Sequence, residues 1–187
     1  MKKITIYILS TIIIGFAGCK SKTTINRDEA GEAITEYLIA NPEYKTTRFS
    51  FGELKFNSKN DMLDLNKYKT LSNEGLVLLK RLSAKKKFLS SDSSFVYQIS
   101  LTDTASPLVL KQDEDKATVK VVDYVLADSK PVDFSQVNST TAKVTVTLKK
   151  VNTPFATFDK DASENSNFIT KTYKLKLSKD EGWKVQK

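Results

Sequence analysis

The side chains in this 187-residue chain that could do chemistry are few, and their kinds set narrow limits. There is no histidine anywhere, which removes the commonest general base, proton shuttle and zinc ligand in one observation. Serine–histidine catalysis, cysteine–histidine catalysis and histidine metal sites are thereby excluded. Carboxylate chemistry is what remains, and two groups are its candidates: Asp61 with Asp64, and the run Asp113-Glu114-Asp115. Two carboxylates divide acid and base roles only when their surroundings push their pKa values apart. The run lies between Gln112 and Lys116 and reads as an exposed turn. No residue is assigned a catalytic role, and the expectation is a protein that is not an enzyme.

A third acidic segment, Asp159-Lys160-Asp161-Ala162-Ser163-Glu164-Asn165, places Asp159, Asp161 and Ser163 at the first, third and fifth positions of a calcium-loop pattern. The pattern then fails. Its sixth position is Glu164 where glycine makes the turn, and its twelfth is Thr170 where a bidentate glutamate closes the shell. A solvated loop is expected there, with neither a metal nor a cofactor required.

One thiol completes the inventory. Cys19 is the single cysteine of the chain, and what precedes it is a basic start (Lys2, Lys3), an apolar run from Ile4 to Ile14 and a small-residue end at Gly15, Ala17 and Gly18. That is the layout of a secretory signal peptide. The apolar run is interrupted by Ser10 and Thr11 and falls short of the ~20 apolar residues a spanning helix needs. Phe16-Ala17-Gly18-Cys19 resembles the lipobox of bacterial lipoproteins, with Phe16 where leucine is usual. The resemblance implies cleavage between Gly18 and Cys19, lipid on the Cys19 thiol, residues 1–18 as a signal peptide and residues 19–25 as a lipidated tether. Lys20 follows the cysteine, and in such lipoproteins an aspartate there favours the inner membrane, so the outer membrane is implied. Some lipoproteins of the Bacteroidetes carry acidic residues after the cysteine for surface display. Lys20-Ser21-Lys22-Thr23-Thr24 has none, which favours the periplasmic face. Asp103-Thr104-Ala105 resembles the short O-glycosylation motif of the same phylum, which would make Thr104 a glycan acceptor.

Losing Lys2 and Lys3 with the leader lowers the formal charge from +8 to +6. Such a balance suits attraction to anionic headgroups, lipopolysaccharide or acidic polymers, and scattered lysines also make an ordinary solvated surface. Export removes the chain from most nucleic acid, so no nucleic-acid partner is expected. With Cys19 lipidated there is no disulfide to form, so the core of residues 26–187 must carry one domain unaided.

The elements that would position these groups follow from periodicity. Asn26 and Glu29 form a capping-box start, and Ala30, Ala33, Ile34, Tyr37 and Leu38 recur at helical spacing as far as Asn41-Pro42. Phe49 and Phe51, then Leu54 and Phe56, alternate with a change of phase at Gly52, as in a β-bulge. Thr70 is read as the cap of a second helix carrying Leu71, Leu78 and Leu82 on one stripe, with Lys80 to Lys87 near its C-terminal dipole. That segment could also be a basic helix for a membrane surface or partner groove, and the stretch 66–110 a helical or winged-helix-like insertion. Strands follow at Phe95–Leu101, Leu108–Leu110 and Val119–Leu126, the last with a second phase change. Ala142, Val144, Val146 and Leu148 alternate with Thr141, Lys143, Thr145, Thr147 and Lys149, a half-buried strand with a wet Thr/Lys face. Ile169–Leu177 and Trp183–Val185 close the chain as a hairpin.

The expected fold class is therefore α+β, a twisted antiparallel sheet packed on an N-terminal helix. The ending Asp180-Glu181-Gly182-Trp183-Lys184-Val185 resembles cystatin-like and nuclear-transport-factor-2-like domains of small envelope lipoproteins. Three functions stand beside that fold. The first is a non-catalytic binding or accessory subunit of an envelope complex, held to the membrane by its lipid anchor and bound to a protein partner. The second is a periplasmic immunity or inhibitor lipoprotein, and the third a ligand carrier or enzyme with a cone-shaped pocket.

Overall fold

The computed structural model describes residues 23–86, 93–160 and 166–186. The lipobox and leader lie outside the described residues, as do Lys87, Asp161 and Ser163. The fold is α+β, with a curled antiparallel sheet and an N-terminal helix. Among the described residues no helix is long and apolar enough to cross a membrane.

Helix α1 (Arg27–Ala40) begins with both halves of a capping box. The Glu29 amide donates to Asn26 Oδ1 at 2.9 Å, and Glu29 Oε2 accepts from the Asn26 amide at 3.1 Å. Two of the helix's orphan donors are satisfied this way. Its apolar stripe, Ala30, Ile34 and their neighbours Ala33, Tyr37 and Leu38, packs on Ala142, Val144, Val146, Leu148, Tyr173 and Leu175.

The next strands, β1 (Glu43–Ser50) and β2 (Gly52–Phe56), belong to different sheets. Ser50 pairs with Lys116 and Gly52 with Ile99, so only Phe51 separates the two ladders. Gly52 is therefore a change of sheet rather than the expected bulge. Its φ of +89° lies in the region that glycine enters without a Cβ clash.

The largest departure from the expected elements follows. Helix α2 spans Lys59–Asn73 and is capped by Ser58, with Asp61 returning the bond. It ends where a helix was expected to begin. Gly75, at φ +74°, turns the chain in a Schellman arrangement: the Leu76 amide donates to Leu71 O at 2.9 Å, and both leucines are buried in one cluster. Strand β3 (Val77–Lys86) then runs back along β4 (Ser93–Leu101), and the small sheet has the order β2-β4-β3. Leu78 and Leu82 are thus solvent-facing strand residues, 65% and 47% exposed, and not a helical core stripe. Lys80 and Lys85 sit on the same strand, so neither reading of a basic helix holds.

The large sheet is built from β5 (Val109–Gln112), β6 (Lys116–Leu126), β7 (Asp133–Asn138), β8 (Thr141–Asn152), β9 (Phe168–Ser178) and β10 (Gly182–Val185) together with β1. Its main path is β1-β6-β8-β9-β10, with β5 beside β6 and β7 beside β8. The phase change expected in β6 is a register shift: Lys45 pairs with Val122 and Thr46 with Lys120, leaving Val121 as the extra residue. The β8 alternation holds, its four apolar residues fully buried and Lys143 and Lys149 exposed.

The segment joining β6 to β7 runs directly under α1. A Cβ placed on Gly31 would stand 2.2 Å from the Ser129 carbonyl oxygen, so the helix can lie this close only with glycine there. Alanine favours a helix interior over glycine by about 1 kcal/mol, yet Gly31→Ala should destabilise the fold. Urea denaturation should show a lower midpoint, whereas a raised midpoint would mean that the close approach is absent in solution.

Candidate functional site

Three of the acidic residues singled out from the sequence converge, but not as acid–base machinery. Asp61, Asp64 and Asp159 line one cleft of about 410 Å³ between the two sheets, together with Arg48, Lys55, Lys67, Tyr68, Phe158 and Lys160. Strand β1 brings Arg48 and β2 brings Lys55. Helix α2 supplies the two aspartates, and a 3-10 turn over Pro154–Phe158 supplies the far wall. That turn is fixed by Thr153, a nearly buried side chain whose hydroxyl donates to Lys120 O at 2.6 Å and accepts from the Phe155 amide at 3.2 Å.

Each carboxylate is already engaged inside the chain. Asp61 Oδ2 accepts from the Asn57 and Ser58 amides, both at 2.9 Å. Asp64 pairs with Lys67 at 2.9 Å and Asp159 with Lys45 at 2.8 Å. Lys67 also lies over the Phe158 ring, 5.7 Å from its centre. Arg48, Lys55 and Lys160 face the same cleft and are exposed, without an ion pair among the described residues. The cleft consequently offers cations to a visitor and keeps its anions occupied. A carboxylate, phosphate or sulfate group would meet charge complementarity here.

Asp159 also bears on the calcium pattern. Its carboxylate pairs with Lys45, and Asp161 and Ser163 fall outside the described residues. Among the described residues no group of three or more potential ligands forms a metal site. Asp113, Glu114 and Asp115 form the exposed β5–β6 turn, with Asp113 paired to Lys111 at 3.0 Å. Thr104 lies in a 3-10 turn over Asp103–Leu108, exposed, beside the buried Ala105.

A wider groove of about 510 Å³ lies between α1 and the β9–β10 turn, lined by Ile25, Ala33 and Trp183 below and by Glu29, Glu32, Glu36, Asp180 and Glu181 around it. Glu29 is spent on the helix cap and Glu36 on Lys184 at 3.1 Å.

Sequence reasoning missed Arg48, Lys55 and Lys160. Locally Arg48 and Lys55 are ordinary outward cations beside the inward Phe49 and Phe56, and Lys160 follows the 3-10 turn; only the change of sheet at Gly52 and that turn draw them round one opening. No family model matches the chain, and neither curated proteins nor solved structures give a significant match.

Two tyrosines mark how firmly the polar groups are held. Tyr68 donates to Ser50 O at 2.9 Å, and burial, reinforced by the Asp64 charge, pushes its hydroxyl above the ordinary phenol range. Tyr173 donates to Glu43, which also takes Lys171. Burial first, then that bond, raises it likewise. Folded-state pKa values above the unfolded value of 10.0 mean stability intact below pH 10 and lost as pH rises further. Ultraviolet titration should find two tyrosines that ionise only as the protein unfolds, and Tyr68→Phe and Tyr173→Phe should each remove one. Normal ionisation of all tyrosines in the folded protein would contradict the burial.

Proposed function

We propose that this chain is a lipid-anchored protein of the bacterial cell envelope that acts without catalysis, as a binding or accessory subunit. In this reading the precursor is cut before Cys19, lipid on that cysteine holds it at the outer membrane, and the domain works on the periplasmic side. The observation that carries the binding role is the cleft between the sheets. Its carboxylates are satisfied internally, while Arg48, Lys55 and Lys160 are presented outward around an aromatic wall. A site so arranged recognises an acidic segment of a protein partner by charge and shape. In this reading the cleft binds rather than transforms its partner, its described carboxylates being held by amides and lysines. The anchor is supported by the residues themselves, a basic start, an apolar run too short to span, and a small pair before a lone cysteine.

Metabolic labelling with a palmitate analogue should mark the wild type and leave Cys19→Ala unlabelled; equal labelling of both would remove the anchor. For the cleft, a photo-crosslinking residue in place of Leu54 should capture a defined partner in intact cells. The double change Arg48→Glu with Lys55→Glu should abolish that product at unchanged thermal stability. A product that survives the charge reversal would take the cleft out of the proposal.

A further inference from the structure

The outward face of the large sheet carries a charge pattern that folding alone does not favour. On strands β7 to β10 the outward positions include Asp133 and Ser135, then Thr141, Lys143, Thr145, Thr147 and Lys149, then the half-exposed Phe168, Thr170, Thr172, Lys174 and Lys176, then Lys184. Lys143 stands directly opposite Lys174, and Lys176 directly opposite Lys184. Cross-strand partners sit about 5 Å apart at Cβ, and like charges so placed destabilise a sheet. Lys184 is relieved by Glu36. Lys143, Lys174 and Lys176 are exposed and have no ion pair among the described residues. Asp133, opposite Thr145, is the one acidic side chain at these positions. The threonines between the lysines are polar, Thr145 and Thr172 sharing a hydroxyl hydrogen bond of 2.8 Å.

The rim of this face is also where the chain enters the fold. Gln136 of β7 holds the entry from both sides, its Oε1 accepting from the Ile25 amide at 3.3 Å and its Nε2 donating to Thr23 O at 2.9 Å. Ile25 is buried in the core, and the Arg27 guanidinium donates to Val132 O at 3.0 Å. The body therefore begins at Thr23, four residues after Cys19. Four residues reach at most about 14 Å, little more than the roughly 10 Å thickness of one packed layer.

We infer that the Thr/Lys face of β7 to β10 rests on an anionic phospholipid bilayer, with the leash from Thr23 only long enough to pass round its rim. This rests on the lipid-anchor reading above. A bilayer fits better than a folded partner because the charge on the face is lysine apart from Asp133 and lies within that short reach of the lipid. Headgroup attraction strengthens attachment by about five-fold per lysine near the surface and decays within a Debye length.

Cys19 is the single cysteine, so once it is lipidated an introduced cysteine can be spin-labelled alone. Full-length lipidated protein with Thr172→Cys, or with Glu53→Cys on the small sheet, would be reconstituted into vesicles of phosphatidylcholine with 30% phosphatidylglycerol and into phosphatidylcholine alone. Accessibility of the label to a water-soluble nickel relaxant is then measured. The label at 172 should be shielded on the anionic vesicles and lose its shielding on neutral vesicles, in 1 M salt, and in Lys143→Glu with Lys174→Glu. The label at 53 should stay accessible throughout. Protein that floats with both kinds of vesicle while the label at 172 remains accessible on each overturns this inference and leaves the anchor intact. Shielding at 53 instead of 172 overturns it too. Failure to float with either vesicle overturns the anchor and this inference with it.

Discussion

Phe49 sits where the two sheets meet, and its ring is fully buried against Tyr68 from α2, Phe155 and Phe158 from the 3-10 turn, with centres 5.0 to 5.3 Å apart. Those rings come from three elements that share no backbone ladder with one another. Aromatic edges and faces in this arrangement add to simple area burial. They hold the small sheet, the helix and the turn at one angle to the large sheet. The cluster continues through Phe51, Phe56, Val77 and Ile99 on one side and Val119 and Val121 on the other. The cleft is the polar mouth of this joint, and Tyr68 and Phe158 belong to both. A change that loosened Phe49 would alter the spacing of Arg48, Lys55 and Lys160 without touching any of them.

How much of this was legible depends on how local each signal is. The α1 capping box, the alternation of β8 and the extra residue in β6 each show in a few neighbouring residues, and each is present. The α2 boundaries were misread although their signal was there: Ser58 and Asp61 form a capping box with aspartate in place of glutamate, and Met62, Leu65, Tyr68 and Leu71 follow at helical spacing. Leu71, Leu78 and Leu82 at helical spacing carry the expected helix past Asn73, among four leucines at 76, 78, 79 and 82 that belong to or border strand β3. Those at 76 and 79 face the core, whereas those at 78 and 82 face solvent, and a strand edge tolerates such exposure where a helix stripe would not. Gly52 showed as a change of phase, and no local rule separates a bulge from a change of sheet. The cleft was invisible for the same reason, since its cations are separated along the chain and meet only through the joint at Phe49.

The charges of the described body are sorted rather than scattered. Acidic side chains gather in the groove under α1 and the β9–β10 turn, where the helix cap and Lys184 take some of them. Lysines gather on the opposite side of the same strands, and a third group of cations rings the cleft. Strand alternation makes such sorting easy, because one residue's shift carries a side chain to the other face. The strand β8 alone spans 12 residues, roughly 40 Å at about 3.3 Å per residue. Thr141 at its start lies beside the chain's entry, and β6 continues past its end toward the partner of Arg48. Entry and cleft thus occupy opposite ends of the long sheet.

The hold of Gln136 on Thr23 and Ile25 has a mechanical meaning. Tension on the chain upstream of Thr23, whatever its source, reaches the body first through two side-chain hydrogen bonds and the Arg27 contact to Val132. None of these belongs to a strand ladder. Gln136 is itself a residue of β7 and pairs with Ala142 of β8, so such a pull passes through the clasp into the edge of the large sheet. The point where the chain enters the body is therefore tied to a sheet edge rather than to a free loop.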